Sequence, residues 1–389
     1  MASFKLADRV AQLPPYLFAS IDKVKAEVAA RGVDIISLGI GDPDMPTPAF
    51  IVEAMQQAVT RPAHHQYPSY IGMMEFRQAV VDWYGRRFGI TDLDPKTEVL
   101  CTIGSKEAIA HFPFAFVNPG DLVLVCPPNY PVYPVATRFA GGEVEFLPLL
   151  DENDFLPDLD SVSEESWKRA KIIFVNYPHN PTSAMAPRWF YEKLVDLCRK
   201  HDVILAHDAA YTEIYYDEAN KPLSIFNIPG AKDVAVEFHS LSKTYNMTGW
   251  RVGMVVGNAQ IVAGLGKIKE NMDSGTFHAV QEASIVALRD GDAFCAELRE
   301  IYKKRRDTVV AALHKIGIKC RVPQASLYVW AHVPEGYTSA EFVTKVLQET
   351  GVVMTPGNGF GDAGEGYFRI SLTVDTARLE EAVSRIASL

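Results

Sequence analysis

Val203-Ile204-Leu205-Ala206-His207-Asp208-Ala209-Ala210-Tyr211 is an apolar run of strand length that ends in a carboxylate, with a phenol three residues later. Its apolar residues are successive rather than alternate, as in a strand covered on both faces. Working outward, residues 99–103, 122–126, 144–149, 171–177, 234–241 and 252–257 have the same short, largely β-branched character. Longer stretches with helical periodicity separate them, and Pro187 opens one such helix that runs to about residue 200. The pattern predicts an α/β fold, a mainly parallel seven-stranded sheet between helices. Ligands of such sheets sit at the carboxyl ends of strands, so Asp208 marks the candidate site.

Beyond residue 290 the rhythm changes. A charged helix carrying Lys303, Lys304, Arg305 and Arg306 precedes strands expected at 327–333, 352–355 and 367–372. Thr338 and Glu341 have capping-box spacing ahead of Phe342, Val343, Val346 and Leu347, and Leu379, Val383 and Ile386 mark one face of a terminal helix. These residues predict a smaller α+β domain of 1–46 and 289–389, with an N-terminal arm, beside a large domain of 47–288. No repeat or Gly/Ser linker separates the two, which places the expected ligand cleft at their shared wall.

The 389 residues are 48% hydrophobic, with 38 Lys+Arg against 48 Asp+Glu and a formal net charge of -10. An acidic chain without a dense basic stripe is a poor partner for nucleic acid or an anionic membrane. No apolar run approaches the roughly 18 residues that span a bilayer, and the opening residues lack a secretory apolar segment, so a cytoplasmic location is expected. Cys101, Cys126, Cys198, Cys295 and Cys320 are scattered in mostly apolar segments, which suits buried free thiols. No C-x-x-C pair occurs and His64-His65 lacks companions, so no metal site is expected.

The richest chemistry lies in Ser240-Leu241-Ser242-Lys243-Thr244-Tyr245-Asn246-Met247-Thr248-Gly249-Trp250-Arg251. Alone this could be a solvated turn. Yet Lys243 is placed to condense with an aldehyde cofactor, while Ser240, Ser242 and Arg251 suit its phosphate. Asp208 would then keep a pyridine nitrogen protonated, unless it is only a helix cap. Asn180, in Asn176-Tyr177-Pro178-His179-Asn180-Pro181-Thr182-Ser183, could share a ring oxygen with Tyr211, although an Asn-Pro pair is commonly just a turn. Gly104-Ser105-Lys106-Glu107 opens a helix whose first amides could bind phosphate, and Tyr130 could stack on a planar ring or fill core. Arg369, inside the apolar strand Tyr367-Phe368-Arg369-Ile370-Ser371-Leu372, needs an anion: a substrate carboxylate or a structural ion pair. Neither a Walker loop nor a GxGxxG is present, which removes the main support for a nucleotide.

In their order and approximate spacing, Asn180, Asp208, Tyr211, Lys243, Arg251 and Arg369 resemble the class I/II aminotransferases, pyridoxal 5'-phosphate enzymes of fold type I, over essentially the whole chain. The resemblance implies a homodimer with active sites at the interface, Tyr67 reaching the neighbour's phosphate. It also implies Lys243, Asp208 and Tyr211 as catalytic groups. The cofactor would be held by Ser105, Lys106, Tyr130, Asn180, Asp208, Tyr211, Ser240, Ser242, Lys243, Arg251 and Tyr67. The substrate amino acids and 2-oxo acids would meet Tyr16, Gly41, Lys106, Tyr130, Asn180 and Arg369. Leu13-Pro14-Pro15-Tyr16-Leu17-Phe18 and Leu38-Gly39-Ile40-Gly41-Asp42-Pro43 are similar to the branch of the family that makes LL-2,6-diaminopimelate from tetrahydrodipicolinate and glutamate in lysine biosynthesis. Alanine or glutamate–pyruvate aminotransferases share most of these motifs, and a carbon-sulfur β-lyase can use the same scaffold. A DNA-reading regulator would need a basic helix-turn-helix segment, and none is present. Ser183 stands where the family usually has glycine.

Overall fold

Both faces of the central sheet carry apolar side chains, so helices must cover both. The computed structural model describes residues 4–11, 13 and 17–389. After a short strand β1 (Ile36–Ser37) come β2 (Val99–Thr102), β3 (Leu122–Val125), β4 (Glu143–Phe146), β5 (Ala170–Asn176), β6 (Ile204–Asp208), β7 (Ala235–Ser240) and β8 (Gly253–Gly257). Strands β2 to β8 form one sheet in the order β2-β8-β7-β6-β5-β3-β4. All neighbours from β4 to β7 are parallel, and β8 alone runs antiparallel to both its neighbours, β2 and β7. Val123, Phe174, Ala206 and Phe238 pack against Ile109 and Phe112 of the Ser105–Phe116 helix and Leu265 of the Ala259–Met272 helix. On the other face Val99, Met254 and Val256 meet Val80 and Trp83 of the Met74–Phe88 helix, while Leu124 and Leu205 meet Phe190 and Leu194 of the Arg188–His201 helix. The seven expected strands are all present. The edge strand β4 is shorter than expected, and Pro187 caps its helix rather than entering the first turn.

The second unit contains β9 (Tyr328–His332), β10 (Val352–Val353), β11 (Thr355–Pro356) and β12 (Tyr367–Ser371). The single strand expected at 352–355 is two strands in two sheets: β10 lies parallel to β1, and β11 pairs antiparallel with β12. Buried Met354 separates them. The switch occurs because β1 arrives from the start of the chain to pair with β10, a contact that local pattern cannot reveal. The Thr338 capping box is formed, and Leu379, Val383 and Ile386 are buried as expected. The charged helix Asp292–Lys315 is not solvated throughout. Arg305 is buried and donates to Asp44 Oδ1 at 2.7 Å, Asp44 Oδ2 at 2.8 Å and the Leu372 carbonyl at 2.9 Å, tying the segment after β1 to the second unit. Four cysteines are buried and free, whereas the free thiol of Cys320 is only half-buried. No helix of the described residues is long and apolar enough to cross a membrane.

Candidate active site

The carboxyl ends of β5, β6 and β7 converge on one patch. Asp208 ends β6, is buried, and accepts a hydrogen bond at Oδ2 from the Tyr133 hydroxyl at 2.7 Å. Its Oδ1 is buried with no hydrogen-bond partner. Desolvation pushes the carboxyl above its ordinary range, against the hydrogen bond from Tyr133. Tyr133 is itself fixed by stacking on Phe174, with ring centroids 5.0 Å apart. Asn176, level with Asp208 on β5, donates to the Asp208 carbonyl at 2.7 Å and accepts from the Asn180 N–H at 2.8 Å. One amide thus joins two strand ends to the loop that carries Asn180.

Strand β7 ends at Ser240, whose hydroxyl accepts from Ser242 N–H at 3.3 Å and caps the short helix Leu241–Thr244. Lys243 projects from that helix, and its Nζ donates to the Gly41 carbonyl at 2.6 Å. Burial is the main reason its amine is lowered to about 8; Arg369 and Arg251 act in the same direction and Asp42 opposes them. Ser242 Oγ is buried and unpartnered. Across the β7–β8 ladder Ser240 pairs with Gly253, where a Cβ would lie 3.0 Å from Ser105 N. At Gly104, with φ +75°, a Cβ would lie 2.5 Å from Arg251 Nη2. The start of the Ser105–Phe116 helix, two hydroxyls and a guanidinium therefore crowd together, an arrangement suited to a phosphate.

Opposite, Arg369 reaches in from β12 and is buried. It donates to Asn180 Oδ1 and to the Gly39 carbonyl, both at 2.6 Å, and its Nε is buried without a partner. Neither acceptor is an anion, so among the described residues Arg369 has no structural ion pair. Its guanidinium lies over the Tyr328 ring at 4.2 Å from the centroid and the Phe360 ring at 4.8 Å. Tyr211 faces Tyr328, hydroxyl to hydroxyl at 2.9 Å. Burial foremost holds the Tyr211 phenol protonated well above its ordinary range.

Residues 33–386 match the family described as aminotransferase class I and II. The chain belongs to that family. It is a pyridoxal-phosphate-dependent aminotransferase of fold type I. The chain is 78% identical over 389 residues to the LL-diaminopimelate aminotransferase of Nitratidesulfovibrio vulgaris (strain DP4), covering 100% of both. It is 58% identical over 386 residues to the enzyme of that name from Aquifex aeolicus (strain VF5), covering 99% of each. The substrate-bound structure of BacF from Bacillus subtilis superposes with a TM-score of 0.95 at 35% identity, covering 99% of this chain and 98% of that one.

The aminotransferase cofactor fits the residues present. The free Asp208 Oδ1 is a buried acceptor with nothing to accept from, and Ser242 Oγ and Arg369 Nε are buried donors with nothing to donate to. Leaving such groups unpaired costs about 1–3 kcal/mol each, a cost that a ring N–H, a phosphate and a carboxylate remove. Of the residues singled out in the sequence, Asp208, Tyr211, Asn180, Gly41, Lys243 and Arg369 are linked by the contacts above, and Ser105, Ser240, Ser242 and Arg251 cluster beside them. Asn180 does not offer its whole amide: Arg369 occupies Oδ1, which leaves Nδ2 for a ligand. Tyr130 is half-buried, edge-on to Tyr133 at 5.9 Å. Lys106 is exposed on the first helical turn, and Tyr67 is 89% exposed. Tyr16 lies outside the described residues. Ser183 adopts φ +59°, the left-handed region that favours glycine, and its hydroxyl donates to the Tyr328 carbonyl at 2.8 Å. Tyr133 and Tyr328 carried no role in the sequence reading, and neither did Asn176. Asn176 had a usable signal, a polar residue closing an apolar strand as Asp208 does; the tyrosines look like core.

Proposed function

We propose that this aminotransferase moves an amino group between L-glutamate with 2-oxoglutarate and LL-2,6-diaminopimelate with tetrahydrodipicolinate. It acts as a cytoplasmic homodimer, each chain divided into a large domain of 47–288 and a small domain of 1–46 and 289–389. Full-length relatives carrying the diaminopimelate name support the substrate pair. The observation that carries the chemistry is Lys243, a half-buried lysine whose desolvated amine has a depressed affinity for protons and is held by the Gly41 carbonyl within electrostatic reach of Arg369 and Arg251.

When bound, pyridoxal phosphate supplies an aldehyde carbon that takes up amines and a cationic ring that accepts electrons from the α-carbon. Asp208 Oδ1 accepts the ring N–H and keeps that proton in place. Tyr211 and Asn180 Nδ2 would donate to the ring oxygen, and Tyr130 would supply an aromatic neighbour for the ring. Ser105, Ser240, Ser242 and Arg251 hold the phosphate, helped by Tyr67 from the second subunit. Arg369 would hold and orient the substrate's α-carboxylate, and Lys243 Nζ would take and return the α-proton. Tyr16, Gly41 and Lys106 line the substrate side.

A screen of the purified protein against LL-diaminopimelate, alanine and aspartate as donors to 2-oxoglutarate tests this. The expected result is glutamate formed fastest from LL-diaminopimelate, in equal amount to donor consumed, with Lys243→Ala slowed by about 10²–10⁴-fold. Preferred use of alanine would overturn the substrate assignment. Release of ammonia and pyruvate from a sulfur-containing donor would replace transfer with β-elimination, and near-normal turnover by Lys243→Ala would remove the lysine.

A further inference from the structure

Tyr328 contacts both Tyr211 and Arg369, the two groups assigned to the cofactor ring and the substrate carboxylate. It stands on β9, and its hydroxyl meets that of Tyr211 at 2.9 Å. Its ring supports the guanidinium of Arg369 at 4.2 Å. A Cβ on Gly41, whose carbonyl holds Lys243 Nζ, would fall 2.1 Å from the Tyr328 hydroxyl oxygen. Its own carbonyl is pinned by Ser183 Oγ at 2.8 Å, so the backbone of β9 is tied to the Asn180 loop. The charged and titratable groups around the pair are Arg369, Asp208, Tyr133, Tyr302 and, through Gly41, Lys243.

We propose that Tyr328 is a positioning residue that couples the carboxylate-binding arginine, Arg369, to Tyr211 at the cofactor ring. The proposal rests on the roles given above to Arg369 and Tyr211. The Tyr328 hydroxyl donates to Tyr211 Oη, which frees the Tyr211 proton to point at the ring oxygen. Hydrogen bonds in such a chain strengthen one another, so a better donor at Tyr328 makes a better donor of Tyr211. The guanidinium on the π face draws electron density from the Tyr328 ring and makes its hydroxyl a stronger donor. A carboxylate on Arg369 offsets that pull. Occupancy of the carboxylate site is thereby registered at the cofactor's ring oxygen before any bond is broken.

The test is a pH titration of cofactor absorbance in the holoenzyme, with and without saturating glutarate, which has the carbon skeleton of glutamate but no amine to react. Tyr328→Phe keeps the ring and removes the hydroxyl. Its absorbance midpoint without glutarate is expected to rise by about half a pH unit, and the glutarate-induced shift to fall to about half or less of the wild-type value. Glutarate affinity should change little, because the aromatic face under Arg369 is retained. Tyr328→Leu removes that face and should weaken glutarate binding by about fivefold or more. Superimposable wild-type and Tyr328→Phe titrations in both conditions would overturn the coupling while leaving the aminotransferase site intact. A wild-type chain that takes up no pyridoxal phosphate would overturn the site itself.

Discussion

Lys243 owes its reactivity to where the chain puts it, since an exposed lysine is almost wholly protonated at neutral pH. Burial lowers its amine to about 8 from an ordinary 10.5. Below the lower value the lysine is charged in both the folded and unfolded chains, and the fold bears the full cost of a buried ammonium. Between 8 and 10.5 the unfolded chain still holds the proton that the folded one has released, so this group's contribution to apoprotein stability improves as pH rises through that window. The neutral amine is also the nucleophile. The rate of pyridoxal phosphate uptake by apoprotein, followed by stopped-flow absorbance, should therefore climb with pH and level off just above 8. A rise continuing to the exposed-lysine value would mean that Lys243 is not desolvated. This lysine was legible in the sequence because hydroxyls and an arginine flank it between two buried strands. Tyr328 was not, because Leu327-Tyr328-Val329-Trp330 is an apolar strand whose outward hydroxyl appears only when β9 meets the other unit.

At the scale of elements, the site depends on a helix start that must touch an arginine. Gly104 takes a left-handed φ of +75° and presents only hydrogen to Arg251, where a methyl would fall 2.5 Å from Nη2. Gly104→Ala should therefore strain the turn, displace Arg251 and pull the helix N-terminus off the phosphate. The expected outcome in equilibrium dialysis is about a tenfold or greater loss of pyridoxal phosphate affinity, with little change for pyridoxal, which lacks the phosphate. Equal losses for both ligands would mean that the glycine serves the fold rather than the anion. The large sheet was legible because each strand is a local apolar run and its crossovers are helices. The small unit was less so: β10 and β11 look like one strand until β1, from the far end of the chain, claims half of it. Arg305 was hidden for the same reason, since its partner Asp44 lies 261 residues away.

At the scale of the molecule, Tyr67 is the residue that a single chain leaves unexplained. It is 89% exposed, although the resemblance to aminotransferases assigns it to a phosphate. In the two-fold dimer proposed above, Tyr67 of each subunit would reach the other's site, so that each site would take Lys243 from one chain and Tyr67 from its neighbour. Lys243→Ala and Tyr67→Ala homodimers should each be strongly impaired. In a hybrid of the two, however, the Tyr67→Ala chain keeps its own lysine and receives an intact tyrosine, which restores one complete site of two. Random re-pairing of equal amounts makes about half of the dimers hybrids, so co-refolded mixture should recover about a quarter of wild-type activity per chain. Transamination assays on the co-refolded mixture, against the two variants refolded apart and then combined, measure this directly. Activity equal to the sum of the separate variants would mean that Tyr67 serves its own subunit, or that the sites are not shared across a dimer at all.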